Sequence, residues 1–185
     1  MSDFAAVWRS IQHGLAGLAL AMLLPAQAMG NKPSTEMVPA GVEGYNHTSA
    51  NINRFSVNRA GGHNIAPFNS YGGSQSCCVS LPRQWRPGLM ATVEWEKDPN
   101  PRNPVLAALH PNSEEWGEAY KLHAANYTNH RAVVEIPRYE KSGAIKVHFL
   151  PCDQVKVAAN NITPGYPGYP YNFPARMQEP KTCPK

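Results

Sequence analysis

The sequence predicts an all-β fold: an antiparallel β-sandwich of six to eight short strands, with one short helical insertion and an extended Pro/Tyr-rich tail. Three observations predict it. Eighteen prolines and fourteen glycines among 185 residues cut the chain into short pieces. Several of those pieces alternate apolar and polar residues with period two, the pattern of a half-buried strand. One stretch alone, residues 113–125, carries the start signals of a helix.

The first 28 residues read as an export signal. Arg9 precedes an apolar run over residues 15–24, and Pro25 leads into Ala26-Gln27-Ala28, an A-x-A-like cleavage site. The run is shorter than the ~20 residues a membrane span needs. Cleavage after Ala28 leaves 157 residues, enough for one domain with its own core and with no integral membrane segment. The expected plan is a flexible leader over 29–39, a sandwich over 40–162 and a tail over 163–185.

The elements follow in order. Residues 41–47 and 54–58 read as strands, with Phe55 and Val57 on one face and Ala60-Gly61-Gly62 as the turn after them. Gly72-Gly73-Ser74 is a loop. Residues 76–81 alternate so that Cys77, Val79 and Leu81 share a face, and Pro82 ends the strand. Pro87-Gly88 launches residues 89–96, where Ala91, Val93 and Trp95 oppose Thr92, Glu94 and Glu96. Three prolines make 97–104 irregular. Asn112 or Ser113 then caps a helix whose first turn carries Glu114 and Glu115, acids suited to the positive end of the dipole. Residues 131–136 and 144–150 are β-branched and predict a hairpin through Lys141-Ser142-Gly143. Residues 154–158 add a strand. From Thr163 to Pro174 prolines interleave with Tyr166, Tyr169, Tyr171 and Phe173, which favours extended polyproline geometry.

Composition narrows the function classes. The formal charge of +4 comes from interspersed bases and acids, without the basic stripe of a nucleic-acid binder. Four cysteines, Cys77, Cys78, Cys152 and Cys183, imply bridges in an oxidising compartment. Ordinary bridges hold α-carbons ~4.4–6.8 Å apart, whereas neighbours sit ~3.8 Å apart. Long-range pairing is therefore expected, with one of Cys77 or Cys78 meeting Cys152 and the other tying down Cys183. A bridged sulfur is no nucleophile, which argues against a cysteine enzyme using His47, His63, His110, His123, His130 or His148 as base. The histidines match no compact zinc spacing, and neither a G-x-S-x-G elbow nor a phosphate loop occurs. The expectation is a non-enzyme with no metal and no cofactor.

The aromatic and arginine side chains point elsewhere. Trp95 belongs to a core. Trp85, between Arg83 and Arg86, is a candidate interface anchor, since Trp and Arg often dominate protein contacts. Arg138 joins them as a candidate, with Tyr166, Tyr169 and Tyr171 second. The tail aromatics either face a partner or pack back across a sheet edge.

Several motifs together resemble a family of domains of unknown function found in short exported proteins and lipoproteins of Gram-negative bacteria. They are Gly44-Tyr45-Asn46-His47-Thr48, Cys77-Cys78-Val79-Ser80-Leu81-Pro82 with Trp85-Arg86-Pro87-Gly88, Val93-Glu94-Trp95, Glu135-Ile136-Pro137-Arg138-Tyr139 and His148-Phe149-Leu150-Pro151-Cys152-Asp153. The resemblance runs from about residue 38 to 170. It implies a periplasmic immunity protein that binds and neutralises a type VI secretion phospholipase effector. The alternative is a structural or envelope-binding β-domain with no toxin partner. Relatives often carry a lipobox cysteine at the cleavage site; here none precedes Cys77, so a soluble periplasmic protein is expected.

Overall fold

Alternating burial along eight strands builds two four-stranded sheets packed face to face. The computed structural model describes residues 36–70, 72 and 75–183; the expected export signal, most of the leader and Gly73-Ser74 lie outside them. The strands are β1 (Met37–Asn46), β2 (Asn51–Val57), β3 (Ala60–Gly62), β4 (Ser76–Pro82), β5 (Met90–Asp98), β6 (Thr128–Glu135), β7 (Ser142–Leu150) and β8 (Gln154–Asn160). The first sheet has the order β4-β1-β7-β8 and the second β3-β2-β5-β6. All pairs are antiparallel except β1 with β7, where Tyr45 stands opposite His148. β1 begins at Met37, so the last residues of the expected leader belong to the sandwich.

Inward positions make the core. Val42, Ile145, Val147 and Val157 from the first sheet meet Val57, Ala91 and Val93 from the second, all essentially inaccessible. Phe149 joins the layers, its ring edge-on to Phe55 at 5.3 Å and to Trp95 at 5.8 Å. Such contacts add roughly 0.5–1.5 kcal/mol each beyond the burial of area. Gly44 is required where β1 crosses these rings, since a Cβ there would strike Ile65 Cδ1. The predicted core role of Trp95 holds.

Three expectations are corrected. Ala60-Gly61-Gly62 is a strand; the turn is Asn58-Arg59, both at positive φ, a two-residue hairpin of the type that twists with its strands. Residues 131–136 and 144–150 do not form a hairpin. β6 pairs with β5, and β7 with β1 and β8, so residues 136–141 cross between sheets. That crossing buries Ile136 and Tyr139 in the core, which a tight surface hairpin would have left exposed.

The third correction concerns sulfur. Cys152 pairs with Cys183, and Cys77 with Cys78. β4 is an edge strand, and β1 lies between it and β7, whose turn to β8 holds Cys152. At ~4.8 Å per strand that separation exceeds the reach of a disulfide. On β4 the partners Ser76↔Val42 and Val79↔Ala40 leave Cys77 and Cys78 opposite Gly41 alone. The resulting bulge turns both cysteines outward, away from the face of Val79 and Leu81.

Between β5 and β6 the chain forms α1 (Pro104–Ala108) and α2 (Glu114–Ala124). The predicted helix is α2, with Ser113 accepting from the Trp116 N–H. The sequence reading missed α1, which Asn103 caps and Pro104 opens. Among the described residues no helix is long and apolar enough to cross a membrane.

Candidate functional site

One end of the sandwich gathers the arginine and tryptophan candidates. The loop 83–89 between β4 and β5, with Pro82 at the end of β4, meets the crossing segment 136–141 through three hydrogen bonds. Trp85 Nε1 donates to the Ile136 carbonyl at 2.9 Å, Ile136 N–H to the Leu89 carbonyl at 2.8 Å, and the Tyr139 hydroxyl to the Pro82 carbonyl at 2.6 Å. Trp85 is thus half-buried and works as a clamp between loops. Arg83, Arg86 and Arg138 are exposed on the clamped platform. Arg83 holds Glu36 through two bonds of 2.6 and 2.7 Å. Arg86 and Arg138 hold no ion pair among the described residues, so their charges face solvent. Burial pushes the Tyr139 phenol pKa up, and Arg86 pulls it part of the way back.

The tail makes a third layer. After β8 it returns over the outward face of the first sheet and ends at the Cys152–Cys183 bridge, beside the turn where β8 began. Tyr169, Tyr171 and Phe173 are half-buried while Pro170, Asn172 and Pro174 are exposed, the alternation of an extended chain lying flat. The Tyr171 hydroxyl donates to the Val157 carbonyl at 2.9 Å, Met177 N–H to the His47 carbonyl at 2.8 Å, and Cys152 N–H to Glu179 Oε2 at 2.8 Å. Arg176 lies over the Phe68 ring, 5.1 Å from its centroid. Tyr169 and Tyr171 therefore turn inward, whereas Tyr166 is 68% exposed.

Beneath this strap runs a chain of hydrogen bonds that sequence reasoning did not find. His47 Nδ1 lies 2.7 Å from the Pro174 carbonyl, His47 Nε2 lies 2.9 Å from His148 Nδ1, and His148 Nε2 lies 2.6 Å from the Tyr169 hydroxyl. A carbonyl only accepts, which fixes the direction when both rings are neutral. His47 donates from Nδ1 to Pro174, His148 donates from Nδ1 to His47, and Tyr169 donates to His148. Both histidines are almost inaccessible. Burial depresses their pKa values, that of His148 to about 3 with help from His47 and Lys146, while the Pro174 bond opposes the shift at His47. Burial raises the phenols of Tyr45, Tyr169 and Tyr171. Tyr45 stacks on His148 at 4.9 Å. The signal in the sequence was the alternation at 169, 171 and 173, matched by the outward positions 146, 148 and 150 of β7.

Other constellations are occupied by the fold. Asn46, wholly buried, donates to the Ala50, Ile65 and Ala66 carbonyls and accepts from Thr48 N–H and Oγ1. His123 Nε2 meets Asp98 Oδ2 at 3.0 Å, and Asn103 reaches His123 Nδ1 at 3.1 Å, which roots α2 on the end of β5. Thr128 Oγ1 lies 2.7 Å from His130 Nε2, but Asp153 stands 3.7 Å from His130 Nδ1 and pairs with Lys97 instead. That spacing is too long for a hydroxyl–imidazole–carboxylate relay. Cys152, Glu179 and Cys183 form the one group of metal-ligand types among the described residues, and its sulfurs are joined to each other.

Comparison with known proteins gives one positive finding. A family model described as a protein of unknown function (DUF3304) matches residues 45–157. No curated protein and no solved structure matches the chain.

Proposed function

We propose, from the premise that the chain belongs to the family of proteins of unknown function DUF3304, that it is a non-catalytic, disulfide-tied binding protein of the periplasm. Its partner is a protein, and the resemblance carried by its motifs makes that partner a type VI secretion phospholipase effector, which it neutralises. The observation that carries this reading is the clamped platform. Three bonds hold the loop after β4 and the last residue of β4 against the crossing segment, and Arg86 and Arg138 stand on that platform without an ion pair among the described residues. A pre-ordered loop loses little conformational entropy on binding, and arginine beside an aromatic is a frequent anchor. The histidines support a binding role in another way, because His47 and His148 spend their ring nitrogens on each other, Pro174 and Tyr169.

The test is binding and protection. The exported protein is expected to copurify with the product of an adjacent lipase gene, and cells lacking it to be killed by that lipase. Reversing both charges, Arg86→Glu with Arg138→Glu, is expected to weaken the complex at least 10-fold while leaving thermal stability unchanged, since neither side chain supports the fold. Full resistance of the deletion strain, or an unchanged affinity of the double variant, would overturn the reading.

A further inference from the structure

The strap covers its face without filling it. A cavity of about 190 Å³ remains between them, lined by His47, Ser70, His148, Asn172, Phe173 and Ala175. The chain enters the strap through residues 163–168, largely exposed, with Gly165 and Gly168 at φ of +88° and +87°. The face presents Tyr45, His47 and His148, and β8 adds the backbone carbonyl of Val157, whose side chain lies in the core; all fall within residues 45–157 that match the family, while the strap lies outside them. Its recognition elements do not depend on covalent continuity. One imidazole nitrogen and one backbone carbonyl take tyrosine hydroxyls, the His47 carbonyl takes an amide, and the aromatic floor receives a ring at every second position.

We infer that the outward face of the β4-β1-β7-β8 sheet is a recognition site for an extended peptide with aromatic residues at alternate positions and prolines between them. In this chain the resident occupant is residues 169–177, and the site takes in trans a segment of the same chemistry from a partner protein. Grooves lined by aromatic rings read proline-bearing segments in this manner, because such segments are stiff before they bind. The Cys152–Cys183 bridge raises the local concentration of the resident, so exchange begins when an external dithiol reduces it by thiol–disulfide exchange, the dithiol closing to its own disulfide as Cys152 and Cys183 are released as thiols. The site is independent of the Arg86 and Arg138 platform, and either surface can fail its test without the other.

The experiment uses the full chain with a site-specific protease sequence inserted at the exposed Tyr166. After cleavage and reduction of Cys152–Cys183, the strap is expected to stay with the body in gel filtration. A fluorescent synthetic peptide of residues 167–183 is then expected to exchange into the site. A peptide carrying Tyr169→Phe and Tyr171→Phe keeps the rings but loses both hydroxyl bonds, and is expected to bind at least 10-fold more weakly. A scrambled peptide is expected not to bind. Loss of β-sheet circular dichroism when the strap leaves would overturn the inference, because the strap would then be core. So would failure of the labelled peptide to exchange, equal binding of the scrambled peptide, or a dimer held together by exchanged straps.

Discussion

Acid should loosen the strap from below, and His148 allows the size of the effect to be worked out. The ring is 2% exposed, donates to His47 and accepts from Tyr169, and its pKa in the fold is about 3 against 6.5 unperturbed. Between those values the unfolded chain binds a proton that the folded one refuses. Stability is therefore complete above pH 6.5 and declines as pH falls, by about 1.36 kcal/mol per unit for each such group. From pH 7.5 to 4.5 His148 alone removes about 2.7 kcal/mol, a large share of the roughly 5–15 kcal/mol that holds a domain together. His47, whose pKa is also depressed by burial, acts in the same direction. Among the other titratable groups facing the ring, the phenols of Tyr45, Tyr169 and Tyr171 are raised by burial and stay protonated in this window, while burial lowers Lys146, and both proteins in the comparison below carry all four. The assay is urea unfolding followed by tryptophan fluorescence at pH 7.5, 6.5, 5.5 and 4.5, for the native chain and for His148→Gln. Glutamine keeps a donor and an acceptor but does not titrate. The native chain should be the more stable at pH 7.5, and the gap should narrow by about 2.7 kcal/mol by pH 4.5. Parallel profiles would refute the reasoning, since carboxylates elsewhere act equally on both proteins.

Three further outcomes follow from the fold. Cys183→Ser opens a loop whose ends are 31 residues apart, and the chain-entropy model assigns that closure about 3.7 kcal/mol, to be read from the urea midpoint. Non-reducing peptide mapping should join Cys152 to Cys183, and a link from Cys77 or Cys78 to Cys152 would contradict the strand order. Asn46→Ala strips five hydrogen bonds from a wholly buried position and leaves the partners at Thr48, Ala50, Ile65 and Ala66 to fend for themselves. A loss of about 3 kcal/mol or more is expected in the same unfolding experiment, with a loss below about 1 kcal/mol counting against the role assigned to Asn46.

The sequence by itself determined the local choices. Period-two alternation around Val93 and Trp95 made β5, Ser113 with two acids after it made α2, and Pro82 stopped β4. These are decided within a few residues, by side-chain direction, capping and the missing N–H of proline. Alternation says that a strand has an inner face, but not which strand lies beside it. Hence residues 131–136 and 144–150 carry the pattern of a hairpin, yet Ile136 and Tyr139 lie buried at a crossing between sheets. The partner of Cys152 was undecidable for the same reason, because it depends on β1 separating β4 from β7. The histidine chain is the clearest case. His47 and His148 are 101 residues apart and Tyr169 lies 21 further on, and no spacing in the sequence records that a parallel pairing of β1 with β7 sets them under one returning strap. Only tertiary packing brings them together, and the cost of burying polar groups unpaired is what holds them in line.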